Sequence, residues 1–176
     1  MKRILLTAVC GLLVACGDNA EVASEPPLKV DLNLVVADGS VTPSGGMTTS
    51  GQPDEAALRV FAGSGYAAVI DLRLPEEDRG IDEKAVVEDL GMNYVSLPIG
   101  RDDLTFEKAA ALDELLASYD DPVLLHCRSG GRVGALLALR ASANGADDDA
   151  AIEAGRRGGL PPAMDDRVRE ALSSEN

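Results

Sequence analysis

Basic residues, histidine and cysteine are all scarce in this chain of 176 residues. Sixteen lysines and arginines face 30 aspartates and glutamates, for a formal charge of −14, and there are one histidine and three cysteines. So acidic a surface repels nucleic acid and anionic lipid heads, and a polyanionic substrate would need a local basic pocket. Most of the carboxylates read as a solvated, solubilising surface. A single histidine with so few thiols leaves little for a metal centre, so neither a metal nor a cofactor is expected. No repeat stands out, and the length suits one domain.

The one long apolar run opens the chain. Lys2 and Arg3 precede an apolar stretch from Ile4 to Val14, which reads as a secretory signal too short for a permanent membrane helix. Leu13, Val14 and Ala15 before Cys16 resemble the bacterial lipobox, in which the cysteine is lipidated and the signal is cut just before it. The expected organisation is a lipoprotein signal peptide over 1–15, a flexible tether over 16–27 and a domain over 28–176. An ordinary signal cleaved nearby is the alternative. The lipid on Cys16 would hold the domain on the periplasmic side of a membrane, and Gly17 in place of an aspartate leans towards the outer membrane. Cys10 is then discarded and Cys16 acylated, which leaves Cys127 as the domain's lone thiol. No intramolecular disulfide can form, and an unpaired thiol in an oxidising compartment is flagged as reactive.

Downstream, helix and strand patterns alternate. Leu28, Val30, Leu32 and Leu34 alternate with polar residues, as on an edge strand. SGQPDEAALRVFAGSG predicts a helix with Pro53 at its first position and glycines at its end. A strand is expected over Tyr66 to Leu72, a helix over Asp82 to Leu90 and a strand in NYVSLPI. Phe106, Ala109, Ala110, Leu112, Leu115, Leu116 and Tyr119 mark the apolar face of a helix. PVLLH reads as a fully buried strand at the centre of a parallel sheet, followed by a buried helix capped by Asn144-Gly145. Helices are also expected over Asp147 to Arg157 and Pro162 to Leu172. The pattern predicts an α/β fold, with a mainly parallel sheet of about four to five strands and helices on both faces.

Ligands in such folds bind at the carboxyl ends of the strands, where a loop leads into a helix. His126 and Cys127 occupy that position in VLLHCRSGGRVG. Backbone N–H groups from Arg128 to Arg132 can point inward, and the helix dipole favours negative charge there. Gly130 and Gly131 permit the turn an anion nest requires. Arg128, Ser129, Gly130 and Gly131 are thus the expected anion-binding loop. Cys127 is the candidate nucleophile, since a thiolate is favoured in such a loop. Arg132 offers a planar fork of donors to two oxygens of a phosphate or sulfate. His126 reads as a residue that orients the loop through backbone hydrogen bonds rather than as an acid or base.

HCRSGGR resembles the signature of the cysteine-dependent protein tyrosine and dual-specificity phosphatases. SGQP, VIDLR, GMNYVSLPI and PVLLHCRSGGR are similar to the bacterial phosphatase-like branch found beside β-lactamase-hydrolase-like domains, over roughly Leu34 to Gly155. The resemblance implies a cysteine-phosphatase-like fold and hydrolysis of phosphate monoesters. It implies that Cys127 attacks phosphorus, that Arg132 holds the equatorial oxygens, and that an aspartate in PIGRDDLTF serves as general acid. Asp102 is favoured for that role and Asp103 is the alternative, with capping of the next helix as the plain structural reading of Asp103.

Two departures stand out. The phosphatase signature places five residues between cysteine and arginine, whereas four lie here. Val133 occupies the place of the hydroxyl residue that eases departure of the thiolate. The six-residue loop from Cys127 to Arg132 matches the length found in rhodanese-like sulfurtransferases, and VIDLRLPEE is similar to their Asp-x-Arg strand. A Cys127 persulfide is therefore one alternative chemistry, and a non-catalytic anion- or partner-binding domain is another. The expected partners are a phosphorylated small molecule or protein and, through Cys16, a membrane. Nucleic acid is not expected.

Overall fold

The computed structural model describes residues 42–44, 46–100 and 102–174. The expected signal peptide, Cys16, the tether and the strand around Leu28 to Leu34 lie outside the described residues.

Apolar runs make the inner strands. β3 (Ala68–Asp71) and β5 (Val123–His126) are buried at every position, as strands covered on both faces must be. β2 (Met47–Ser50) and β3 flank β5 in parallel, β4 (Asn93–Ser96) extends the parallel run beside β3, and β1 (Thr42–Ser44) lies antiparallel on β2. The strand order is β1-β2-β5-β3-β4.

Side chains alternate across this sheet, and the two faces carry different helices. Ala68, Ile70, Val123 and Leu125 face α3 (Phe106–Ala117), α4 (Gly131–Ala143), α5 (Asp148–Arg157) and α6 (Asp165–Ser173). Val69 and Leu124 face α1 (Glu55–Gly63) and α2 (Glu83–Asp89), where Leu58, Phe61 and Val87 complete a second core. Asp54, Asp82, Thr105 and Asp147 each accept an N–H of the first turn of the helix that follows, which satisfies a donor the helix cannot. The expected α/β architecture is the one observed.

Several local expectations are corrected. Ser50–Pro53 does not start the first helix, because Asp54 caps it and Ser50 ends β2. Ala110 is exposed rather than part of the buried face of α3. Thr105, not Asp103, caps that helix. The last helix begins at Asp165, after a 3-10 turn over Pro162–Met164.

α4 and α5 approach closely through glycine. A Cβ on Gly134 would stand 2.1 Å from Leu160 N and 2.6 Å from Gly155 O, so only a bare backbone fits. This contact seats the segment before α6, and with it Met164 and Arg167, against the loop between β5 and α4.

Candidate active site

The loop begins where β5 ends. His126 is the last residue of β5 and Cys127 the first beyond it, and the two side chains point to opposite faces: Cys127 joins the α4 core and His126 lies under α2. The end of β2 braces the loop. Cys127 N–H donates to Ser50 O at 3.4 Å, Gln52 N–H donates to Arg128 O at 3.1 Å, and Gly51 bridges Ser129. Gly130 then turns the chain at φ 86° as the N-cap of α4, with no side chain capping the helix. Its first N–H groups are left to serve an anion, in the place where the helix dipole favours one.

Cys127, Arg128, Ser129, Gly131 and Arg132 line one cavity of about 390 Å³, together with Glu77 and Arg167. Cys127 is 1% exposed. Glu77 escapes a sequence reading, because it sits in a charged stretch that resembles a solvated loop. It grips the Arg132 guanidinium in a fork, with Nη1 donating to Oε1 at 2.6 Å and Nη2 to Oε2 at 2.8 Å. Arg132 also donates to Ile99 O at 3.2 Å. Hydrogen bonding from Arg132 holds the Glu77 carboxyl down at about 2, against burial, with help from the Leu74 N–H and from Arg73. In return the hydrogen bonds from Arg132 to Glu77 raise Arg132 above its ordinary value, against burial, and the neighbouring Cys127 adds to that shift. Arg132 is thereby fixed in place beside the thiol.

The opposite side of the loop rests on a buried polar cluster. His126 is fully buried, with Nδ1 3.4 Å from Cys127 O. Its Nε2 lies 2.8 Å from Glu83 Oε1 and 3.8 Å from Asp71 Oδ1. The Glu83 contact is off the line of a hydrogen bond, so it is a close polar contact packed beneath the loop. Asp71 Oδ2 accepts Arg79 Nε at 2.7 Å and the Tyr94 hydroxyl at 2.7 Å. Burial, followed by the Asp71 carboxylate, raises Tyr94 and keeps it a donor. Gln52 ties the two halves together, donating to Glu83 Oε2 at 3.1 Å and accepting from Arg73. Asp71, Glu83 and His126 bring ligand-type atoms within 4.8 Å of one another. Arg79 already supplies the positive charge between the two carboxylates, so the cluster suits a brace better than a cation.

The aspartates of the β4–α3 loop sit apart from the thiol. Neither Asp102 nor Asp103 lines the Cys127 cavity, although Gly100 of the same loop does. Asp102 is 96% exposed, with Oδ1 3.9 Å from Arg167 Nη2. Asp103 Oδ2 accepts Gly100 N–H at 3.0 Å and holds the turn. The loop expected to bind an anion and the residue expected to grip it are therefore together, whereas the expected acid stands at the rim.

A parallel α/β sheet with a cysteine and an arginine at a glycine turn into a helix defines a cysteine-phosphatase-like domain. The chain belongs to the family described as beta-lactamase hydrolase-like protein, phosphatase-like domain, whose sequence profile matches residues 38–144. The beta-lactamase hydrolase-like protein of Xylella fastidiosa is 31% identical over 97 residues, 53% of this chain and 22% of that protein. The chain thus corresponds to about a fifth of the length of the curated relatives it matches. Among solved structures, a Neisseria meningitidis protein assigned as a phosphatase superposes with TM-score 0.63 at 21% identity, covering 83% of this chain and 99% of that one. The core catalytic domain of the PP-IP phosphatase of S. cerevisiae gives TM-score 0.61 at 18% identity, covering 78% of this chain and 88% of that one.

Proposed function

We propose that this chain is a cysteine-dependent phosphatase acting on phosphate monoesters, of the phosphotyrosine and dual-specificity mechanistic type. One observation carries the reading: Cys127 and Arg132 line the same cavity at the uncapped start of α4, with Arg132 locked by Glu77. The Cys127 thiolate attacks phosphorus and forms an S–P bond as the ester P–O bond breaks. Asp102 gives its proton to the leaving oxygen; its loop borders the cavity through Gly100. Arg132 and the N–H groups of the loop hold the three equatorial oxygens, over which the charge of the transferring phosphoryl group is spread. Water, deprotonated by Asp102, then attacks phosphorus, the S–P bond breaks, and phosphate and the thiolate are released.

Glu77 and His126 act as positioning residues, Glu77 through Arg132 and His126 from beneath the loop. Export and anchoring through Cys16 belong to the same reading, and metabolic labelling with a fatty acid that Cys16→Ala abolishes would support them. The six-residue loop keeps a persulfide on Cys127 as a second reading. Both are tested on purified protein: hydrolysis of phosphate monoesters that disappears in Cys127→Ser supports the phosphatase, whereas sulfur transfer from thiosulfate without such hydrolysis overturns it.

A further inference from the structure

The chain is strongly acidic, yet the mouth of the Cys127 cavity is not. Four charged side chains line it among the described residues: Glu77, Arg128, Arg132 and Arg167. Glu77 and Arg132 neutralise each other in their bidentate pair. Arg128 is exposed and makes no ion pair among the described residues. Arg167 is half-buried, and its one carboxylate partner among the described residues, Asp102, stands 3.9 Å away with a side chain 96% exposed to water, which screens so loose a contact. Other arginines of the C-terminal helices are better matched: Arg156 pairs with Asp165, and Arg169 Nη2 meets Asp149 Oδ1 at 2.7 Å. Among the described residues two cations are therefore left without a close partner in the lining that holds Cys127, and they come from different elements, the loop itself and α6.

We propose that Arg128 and Arg167 form a second anion subsite, and that the substrate is a small non-aromatic molecule carrying two phosphate groups. One phosphate sits on the loop at Cys127 and the other is held by the two arginines. The proposal rests on the phosphatase reading and narrows it. A second dianion satisfies both guanidiniums through charge-assisted hydrogen bonds. No aromatic side chain lines the cavity among the described residues, where Leu74, Ile99 and Met164 are the apolar walls, so nothing stacks on a phosphotyrosine ring. A large polyanion would meet the remaining acidic surface, whereas a small bisphosphate meets only the basic mouth.

The test separates binding from chemistry. Unbranched alkanediols of three to six carbons, as monophosphates and as bisphosphates, are titrated calorimetrically into the full-length Cys127→Ser protein. The expected result is that at least one bisphosphate binds about tenfold or more tightly than its monophosphate. That preference falls with added salt and disappears in Arg128→Gln/Arg167→Gln, while Arg169→Gln keeps it. Equal binding of the two series, a preference that survives the double substitution, or tighter binding of a phosphotyrosine peptide than of every bisphosphate would overturn the subsite. Hydrolysis by the wild-type chain is measured separately. If the bisphosphates bind selectively but none is hydrolysed, the subsite stands as a binding site and the bisphosphate substrate is overturned; the phosphatase reading fails only if simple phosphate monoesters also go unhydrolysed.

Discussion

Glu77 fixes Arg132, the residue on which the proposed chemistry depends. Without its carboxylate the Arg132 guanidinium loses its bidentate anchor and keeps the Leu72 and Ile99 carbonyls, so Glu77→Gln is expected to lower kcat/KM for phosphate esters by about tenfold to a hundredfold, with the larger part in kcat. The same pair makes a pH prediction. A carboxyl held at about 2, below its ordinary value near 4.5, contributes stability that is complete above pH 4.5 and is lost as the pH falls towards 2. Denaturant midpoints between those limits should therefore fall more steeply in the wild type than in Glu77→Gln. Val133 bears on turnover. It is fully buried in the same core cluster as Cys127, so no hydroxyl reaches the leaving thiolate from that position. Rapid-mixing kinetics should show a burst of alcohol release followed by slow turnover, and Val133→Thr should raise the steady rate while shrinking the burst. At this scale Cys127, Arg132 and the glycine turn were legible, because rare residue types coincide at a strand end. Glu77 and Glu83 were not, since an acid in a charged loop looks the same whether it faces water or an arginine. The Glu four residues beyond Arg73 was the one available signal.

The placing of the loop depends on elements that differ in how plainly the sequence announces them. β3, β5 and α4 are written in apolar residues, and their expected order and burial match the structure. β2 is not: Thr48, Thr49 and Ser50 are buried yet polar, so a hydrophobic pattern passes over them. Their hydroxyls are satisfied inside the fold, Thr48 Oγ1 against the Tyr66 hydroxyl at 2.6 Å and Ser50 on Gly51 O at 2.8 Å. For that reason SGQP read as a helix start, whereas it is the strand end that braces the Cys127 loop. The α4–α5 contact makes a further prediction. Gly134→Ala forces a Cβ into the backbone of Gly155 and Leu160, and is expected to cost about 1–3 kcal/mol or more of stability in denaturant titration. Because the same contact positions Met164 and Arg167, its substrate binding should weaken beyond the loss of folded protein.

At the scale of the whole molecule, a sheet covered on both faces leaves one end open, and the loop at that end holds the candidate site. The core beneath α4 seats the thiol, and the polar cluster beneath α2 supports the loop from the other side. The fold class was legible because strand and helix periods alternate along the chain. The loop's support was not, because it comes from residues distant in sequence: Gln52, Glu77 and Glu83 around His126 and Arg132. The central claim is that Cys127 becomes covalently phosphorylated. Acid-quenching the wild-type chain with a phosphate monoester, followed by intact mass and peptide mapping, tests it most directly. The account predicts one phosphoryl group on Cys127, with none on Cys127→Ser. Ester hydrolysis that persists in Cys127→Ser, or a wild-type thiol that takes sulfur from thiosulfate but never a phosphoryl group, would contradict it.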